Sequence, residues 1–410
     1  MKGHTTGRLS APHTAGLPAL TSQSGASAVE LVNLRCEHLA DPSGIDAERP
    51  RLSWVMEDLK SAARGQRQTA YQVLVASTPA FLAEDQGDLW NSGKIASDQS
   101  VLVEYAGKPL ESRQCCHWKV RVWDQAGGPS AWSAPGCWSM GLLQPNEWCG
   151  HWIGNDEPTA AARMLRKEFE VTKRVVRAMV YFSGMGLSEL YINGQKVGDH
   201  VLSPVFSEYQ KRVYYVTHDV TAQIMAGRNA LGAWLGNGRC TPRAVWMQRF
   251  GFPKLQLQLE VEYADWELWD GDRAGPEMNS GNHVMLVGDL VTWLHECLAG
   301  IMPDPARPGF KHIIMKPRPV GDLKFVEATH RSPYGLIVSH WNRAGDTFDW
   351  QVRVPPNTTA TLHVPARDAA GVTESGQPAD RAEGVRFLKM ENGAAVYEVA
   401  SGTYRFRTNN

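Results

Sequence analysis

No apolar run in this 410-residue chain approaches the ~20 consecutive residues that a membrane-spanning helix needs. Charge of one sign is also missing. Lys and Arg together number 42 against 43 Asp and Glu, a net charge of −1. A chain this balanced has no broad electrostatic attraction for nucleic acid or an anionic membrane surface, so neither is expected as a partner. Cysteine is sparse and odd in number: the seven are Cys36, Cys115, Cys116, Cys137, Cys149, Cys240 and Cys297. None forms a CxxC pair, which argues against a zinc ribbon, and no metal site or cofactor is expected. Cys115 and Cys116 are adjacent and would point to opposite faces of a strand. Reduced thiols in the cytoplasm are the expectation. Residues 1–30 are rich in Gly, Ser, Thr, Ala and Pro and lack the apolar core of a secretory signal; a disordered leader is expected there.

What the chain does have is tryptophan and glycine, 15 and 38 of them. Trp-rich, Gly-rich sequences suit β-sandwiches, and the Trp rings suit either core packing or flat sugar-binding faces. Residues 31–145 hold short apolar stretches separated by turns. Trp118, Val120 and Val122 alternate with His117, Lys119 and Arg121, the period of a half-buried strand, and a fibronectin-like sandwich follows. Residues 146–263 read as a second, jelly-roll-like sandwich. Asn193-Gly194 between apolar runs marks a hairpin, and residues 255–263 alternate so regularly that one wet face is expected. In residues 264–302, Val287, Leu290, Val291, Leu294, Leu298 and Ile301 fall at helical spacing. That predicts one amphipathic helix over about 283–300, stopped by Pro303 and Pro305. Residues 303–410 return to strand character: Phe348, Trp350, Val352 and Val354 alternate with polar neighbours, a third sandwich. The fold class is therefore mainly β, three sandwiches and a lone helix.

Several strings in order along residues 31–410 resemble the bacterial α-L-rhamnosidases, inverting glycoside hydrolases of family 78. In the second block these are Tyr191-Ile192-Asn193-Gly194, Val197-Gly198-Asp199, Leu202-Ser203-Pro204 and Leu235-Gly236-Asn237-Gly238. Further on come Trp266-Glu267-Leu268-Trp269-Asp270-Gly271, Met278-Asn279-Ser280, Asn282-His283 and Pro308-Gly309-Phe310-Lys311-His312. Val354-Pro355-Pro356-Asn357 and Ser401-Gly402-Thr403-Tyr404 complete the series. The resemblance implies a sugar substrate carrying rhamnose. It also implies an (α/α)6 barrel between the second and third sandwiches, and here the chain departs from the family. Twelve helices with their connections need roughly 180 residues. Yet the strand ending at Tyr263 meets the late-barrel Trp266-Glu267 motif across Ala264-Asp265 alone. The lone helix is then what remains of the barrel, its apolar stripe free to self-associate.

By resemblance Glu267 stands at the general base, with Trp266, Trp269 and His283 lining the sugar site. Inverting hydrolysis needs two carboxyl groups about 6.5–9.5 Å apart. The family's acidic Cys-Pro-containing motif, which supplies the acid, has no counterpart in this sequence. The expectation is a family member with impaired catalysis; the alternative is a non-catalytic carbohydrate-binding β-sandwich protein. Asp270, Asp272 and Glu277 lack the spacing of an EF-hand and read as a turn. His283 and His295 lie too far apart on a helix to share a metal. Asn357-Thr358-Thr359 fits a glycosylation acceptor only if the chain is secreted.

Overall fold

The computed structural model describes residues 29–58, 64–125, 127–154, 163–205, 207, 209, 211–236, 254–263, 294–321 and 323–409. They form six sheets. The first two are antiparallel: Val29–Cys36, Arg51–Asp58 and Val103–Glu104 in one, and Trp90–Asn91, Gln68–Ala76, Cys115–Asp124 and Gly136–Ser139 in the other. The alternation read from the sequence is the register seen: Val73 faces Val120 and Val75 faces Trp118, all four buried. Trp54 packs edge-on against Tyr71 in the same core, 5.3 Å between rings. Cys116 is buried and Cys115 only half-buried, as neighbours on opposite faces should be. One helix escaped the sequence reading, the single turn Pro79–Ala83. Thr78 caps it by accepting from the Phe81 amide and Pro79 occupies its first position, a start signal too short to register as a period.

The second pair of sheets holds four strands each. Leu187–Ile192 and Gln195–Lys196 form the expected hairpin, with Asn193 and Gly194 at φ 52° and 81°, the left-handed pair that a two-residue turn requires. Lys254–Tyr263 lies between Val175–Gly184 and Ile153–Gly154, with Leu259 and Val261 in the core. On its other face Gln256, Gln258 and Glu260 are covered, where the alternation predicts a wet surface. Gln256 donates to the Gly150 carbonyl, and Gln258 both accepts from the Cys149 amide (2.7 Å) and donates to the Glu147 carbonyl. Arg113 of the first sandwich grips Glu260 through two 2.7 Å bonds and Glu147 through a third. These polar side chains are the mortar of a domain junction, which alternation alone does not distinguish from a solvated face.

The third pair is a five-stranded and a six-stranded sheet. Ile301–Pro303 pairs with His312–Met315, which runs parallel to Thr359–Pro365; Ala394–Val399 and Val385–Glu391 follow. Opposite stand Phe325–Ser332, Gly335–Ala344, Thr347–Val354, Gly402–Asn409, Thr373–Glu374 and Gln377–Pro378. Trp341, Phe348, Trp350 and Phe406 fill the space between, nearly or wholly buried. Five of the 15 Trp, namely Trp54, Trp118, Trp138, Trp341 and Trp350, are buried core side chains.

Of the expected helix, residues 283–293 lie outside the described residues. Leu294–Ala299 is a π-helical turn. Its wider i→i+5 closure moves the apolar stripe: Ala299 enters the core, Leu298 is half-buried and Leu294 stays 41% exposed. The turn is not isolated. Leu298 and Ala299 carbonyls accept from Trp341 Nε1 (2.9 Å) and Ser339 Oγ (2.7 Å). Gly300, rather than the prolines, ends it. At φ 74° it permits the left-handed exit, and a Cβ there would meet the Lys316–Pro317 backbone at 2.2 Å.

The first and third sandwiches dock directly. Arg64 pairs with the buried Glu374 (2.9 Å), donates to the Glu383 and Thr403 carbonyls, and lies over the Tyr404 ring at 4.2 Å. Asn357, at φ 64°, donates to the Asp98 carbonyl and Ser100 Oγ.

Candidate functional site

Glu267, Trp266, Trp269 and His283, with Asp270, Asp272 and Glu277, lie outside the described residues. The later motif strings, residues 308–312, 354–357 and 401–404, are described, and their chemistry is structural. His312 is buried, its ring nitrogens held 2.6 Å from Thr359 Oγ1 and 2.8 Å from Thr361 Oγ1; burial pushes its pKa below the ordinary histidine value. Lys311 pairs with Asp98 of the first sandwich at 2.8 Å. Asn357 is buried with its amide bonded inside the junction, so it offers no glycan attachment point. Tyr404 OH donates to the Ala400 carbonyl. His295 sits beside His330, ring centres 6.4 Å apart, and burial and then the charge of His295 lower the His330 pKa.

A groove of about 620 Å³ lies on the outer face of the six-stranded sheet. Antiparallel register builds it, because every second residue of four adjacent strands points outward. One cross-strand row runs Glu327, His340, Gln351, Arg405. The next runs Phe325, Asn342, Asp349, Arg407. Arg405 bridges the rows, donating to both oxygens of Asp349 at 2.9 Å. Among the described residues neither Glu327 nor Arg407 has an ion-pair partner. Phe325, 62% exposed, is an apolar step at one end. The groove therefore offers hydrogen-bond donors and acceptors in two parallel rows with one aromatic edge. No sequence signal marked it: each member is merely the polar half of a strand's alternation, and only register across strands gathers them.

The described residues thus form three pairs of β-sheets with a polar groove on the last. Family comparisons agree. Residues 31–144 match the Rha78A-like N-terminal immunoglobulin domain, residues 173–268 the α-L-rhamnosidase N-terminal domain, and residues 300–378 the bacterial α-L-rhamnosidase C-terminal domain. An α-L-rhamnosidase of Formosa agariphila is 36% identical over 258 residues, 55% of this chain and 27% of its own length. One from Streptomyces avermitilis is 27% identical over 65% of this chain and 42% of its own length. The chain thus spans well under half the length of these curated relatives. In three dimensions it is similar to the α-L-rhamnosidase of Dictyoglumus thermophilum, TM-score 0.74 at 15% identity over 93% of this chain and 99% of that one. The Streptomyces avermitilis α-L-rhamnosidase complexed with L-rhamnose gives the same TM-score over 93% of this chain and all of that one. At such identities the likeness is one of fold. Models of three α-L-rhamnosidase domains thus match in succession along residues 31–378 of this chain.

Proposed function

We propose that this chain handles rhamnose-containing glycosides but hydrolyses them barely or not at all. The observation that carries this reading is one of length. Between Tyr263 and Leu294 stand only residues 264–293, where a twelve-helix barrel needs roughly 180. Glu267, the base by resemblance, then has no matched acid, and each member of an acid–base pair contributes ~10²–10⁴-fold. The names of the relatives and the neighbour's bound L-rhamnose support rhamnose as the sugar. Purified full-length chain incubated with p-nitrophenyl α-L-rhamnoside is expected to release no p-nitrophenol above the blank. Robust release that vanishes in Glu267→Gln would overturn this reading and point to Asp270 or Asp272 as a replacement acid.

In the alternative, a non-catalytic sugar-binding protein, the groove on the third sandwich would be the binding surface. A cytoplasmic setting belongs to the same reading, supported by six described cysteines that are all free. So does self-association through the exposed side of the Leu294–Ala299 turn. Leu294→Glu is expected to shift the protein towards monomer in analytical ultracentrifugation with its melting curve nearly unchanged. A cooperative loss of folding would show instead that Leu294 is needed inside its own chain.

A further inference from the structure

We propose that the outer groove of the six-stranded sheet is a binding site for one neutral pyranoside, held by Gln351 and Arg407 and stacked on Phe325. This rests on the sugar-handling reading above and names where the sugar sits. Size is the first support. Strands spaced ~4.8 Å apart and alternate residues ~6.8 Å apart make the two rows of four roughly 14 by 7 Å, room for one or two sugar rings. Charge is the second. Glu327 and Asp349 balance Arg405 and Arg407, and Arg405 is already committed to Asp349, so the groove has no net attraction for an ion. A neutral polyol exploits such a surface better, because vicinal hydroxyls both donate and accept while the rows mix acceptors and donors. The third support is Phe325. Its exposed ring at the end of the row is a platform for the apolar face of a sugar, and the methyl group of a 6-deoxyhexose adds to that contact.

The test uses the full chain and methyl α-L-rhamnopyranoside as probe, titrated by isothermal calorimetry and by ligand-observed saturation-transfer NMR. Saturable binding is expected in the millimolar range usual for small polar ligands. Phe325→Ala and Gln351→Ala both replace exposed side chains, so folding should survive, which circular dichroism checks. Each is expected to weaken binding about fivefold. Affinity should be nearly the same at low and high salt, since no charge is exchanged. Binding that both variants leave unchanged would overturn the groove as the site. If Glu267→Gln abolished that binding instead, the sugar-handling reading would survive and this inference alone would fall. Steep weakening by salt would overturn the neutral ligand. A folded chain that gives no saturable signal with the probe would also overturn the proposal.

Discussion

Arg64→Ala is expected to lower the unfolding free energy at neutral pH by about 3–5 kcal/mol, the cost of leaving a buried charge unpaired. The side chain of Glu374 is 1% exposed and that of Arg64 17%. Burial pushes the Glu374 carboxyl up, but hydrogen bonds from Arg64, Ser375 and the Arg405 amide outweigh it and hold the pKa below the ordinary carboxylate value. A depressed native pKa stabilises the fold above the unfolded carboxylate value, near 4.3 for Glu. That stabilisation is lost as pH falls through the native value. In the variant the carboxyl is buried without its guanidinium, so protonation relieves it. The gap in urea-unfolding free energy between wild type and Arg64→Ala should therefore be widest near pH 7 and narrow towards pH 3. An equal gap at both pH values would show that Arg64 acts through its packing on Tyr404 rather than through charge.

Trp350→Ala is the second large loss expected, about 3–5 kcal/mol from a fully buried Trp. The indole does more than fill volume. Its Nε1 donates to Ser339 Oγ at 3.0 Å, and that hydroxyl donates onward to the Ala299 carbonyl. The π-helical turn is thus fastened to the sandwich core through one buried serine. Trp350→Phe keeps most of the apolar volume and leaves the Ser339 to Ala299 bond intact, so it should cost roughly 1–2 kcal/mol. Hydrogen exchange would separate the two effects. In Trp350→Ala the amides following Leu294–Ala299 should exchange faster than those of the first sandwich. Uniform acceleration throughout would instead mark a global loss of stability.

The strand Thr347–Val354 was legible residue by residue, because a sheet with one buried face prints its period directly on the sequence. The Asn193-Gly194 hairpin was legible for a related reason: few dipeptides tolerate two left-handed residues in succession. What the sequence hid was every feature made by elements distant along the chain. Gln256, Gln258 and Glu260 look like a solvated face until Arg113 and residues 147–150 are seen to cover them. Asn357 looks like a turn residue and a glycan acceptor, yet its side chain ties together two sandwiches. The π-helical turn defeated the stripe drawn at α-helical spacing, since one extra residue in the turn carries Ala299 rather than Leu298 inward. Of the candidate site, Glu267 was assigned only by resemblance and lies outside the described residues. The groove was not legible at all, for its members share a face through register and not through spacing.

The contact between Arg64 and Glu374 joins residues 310 positions apart and so closes most of the chain into a loop. The residues between Tyr263 and Leu294 lie on that loop, away from the contact in sequence. The entropy of closing a flexible loop rises only with the logarithm of its length, about 0.6 kcal/mol for each doubling. Clasped at its two ends, the chain is therefore nearly blind to how much polypeptide it encloses. A domain the size of a helical barrel gained or lost at that point changes the clasp's free energy by less than one good hydrogen bond. The clasp is in this sense the frame, and whatever occupies the interval between Tyr263 and Leu294 is an insert whose size the frame does not register.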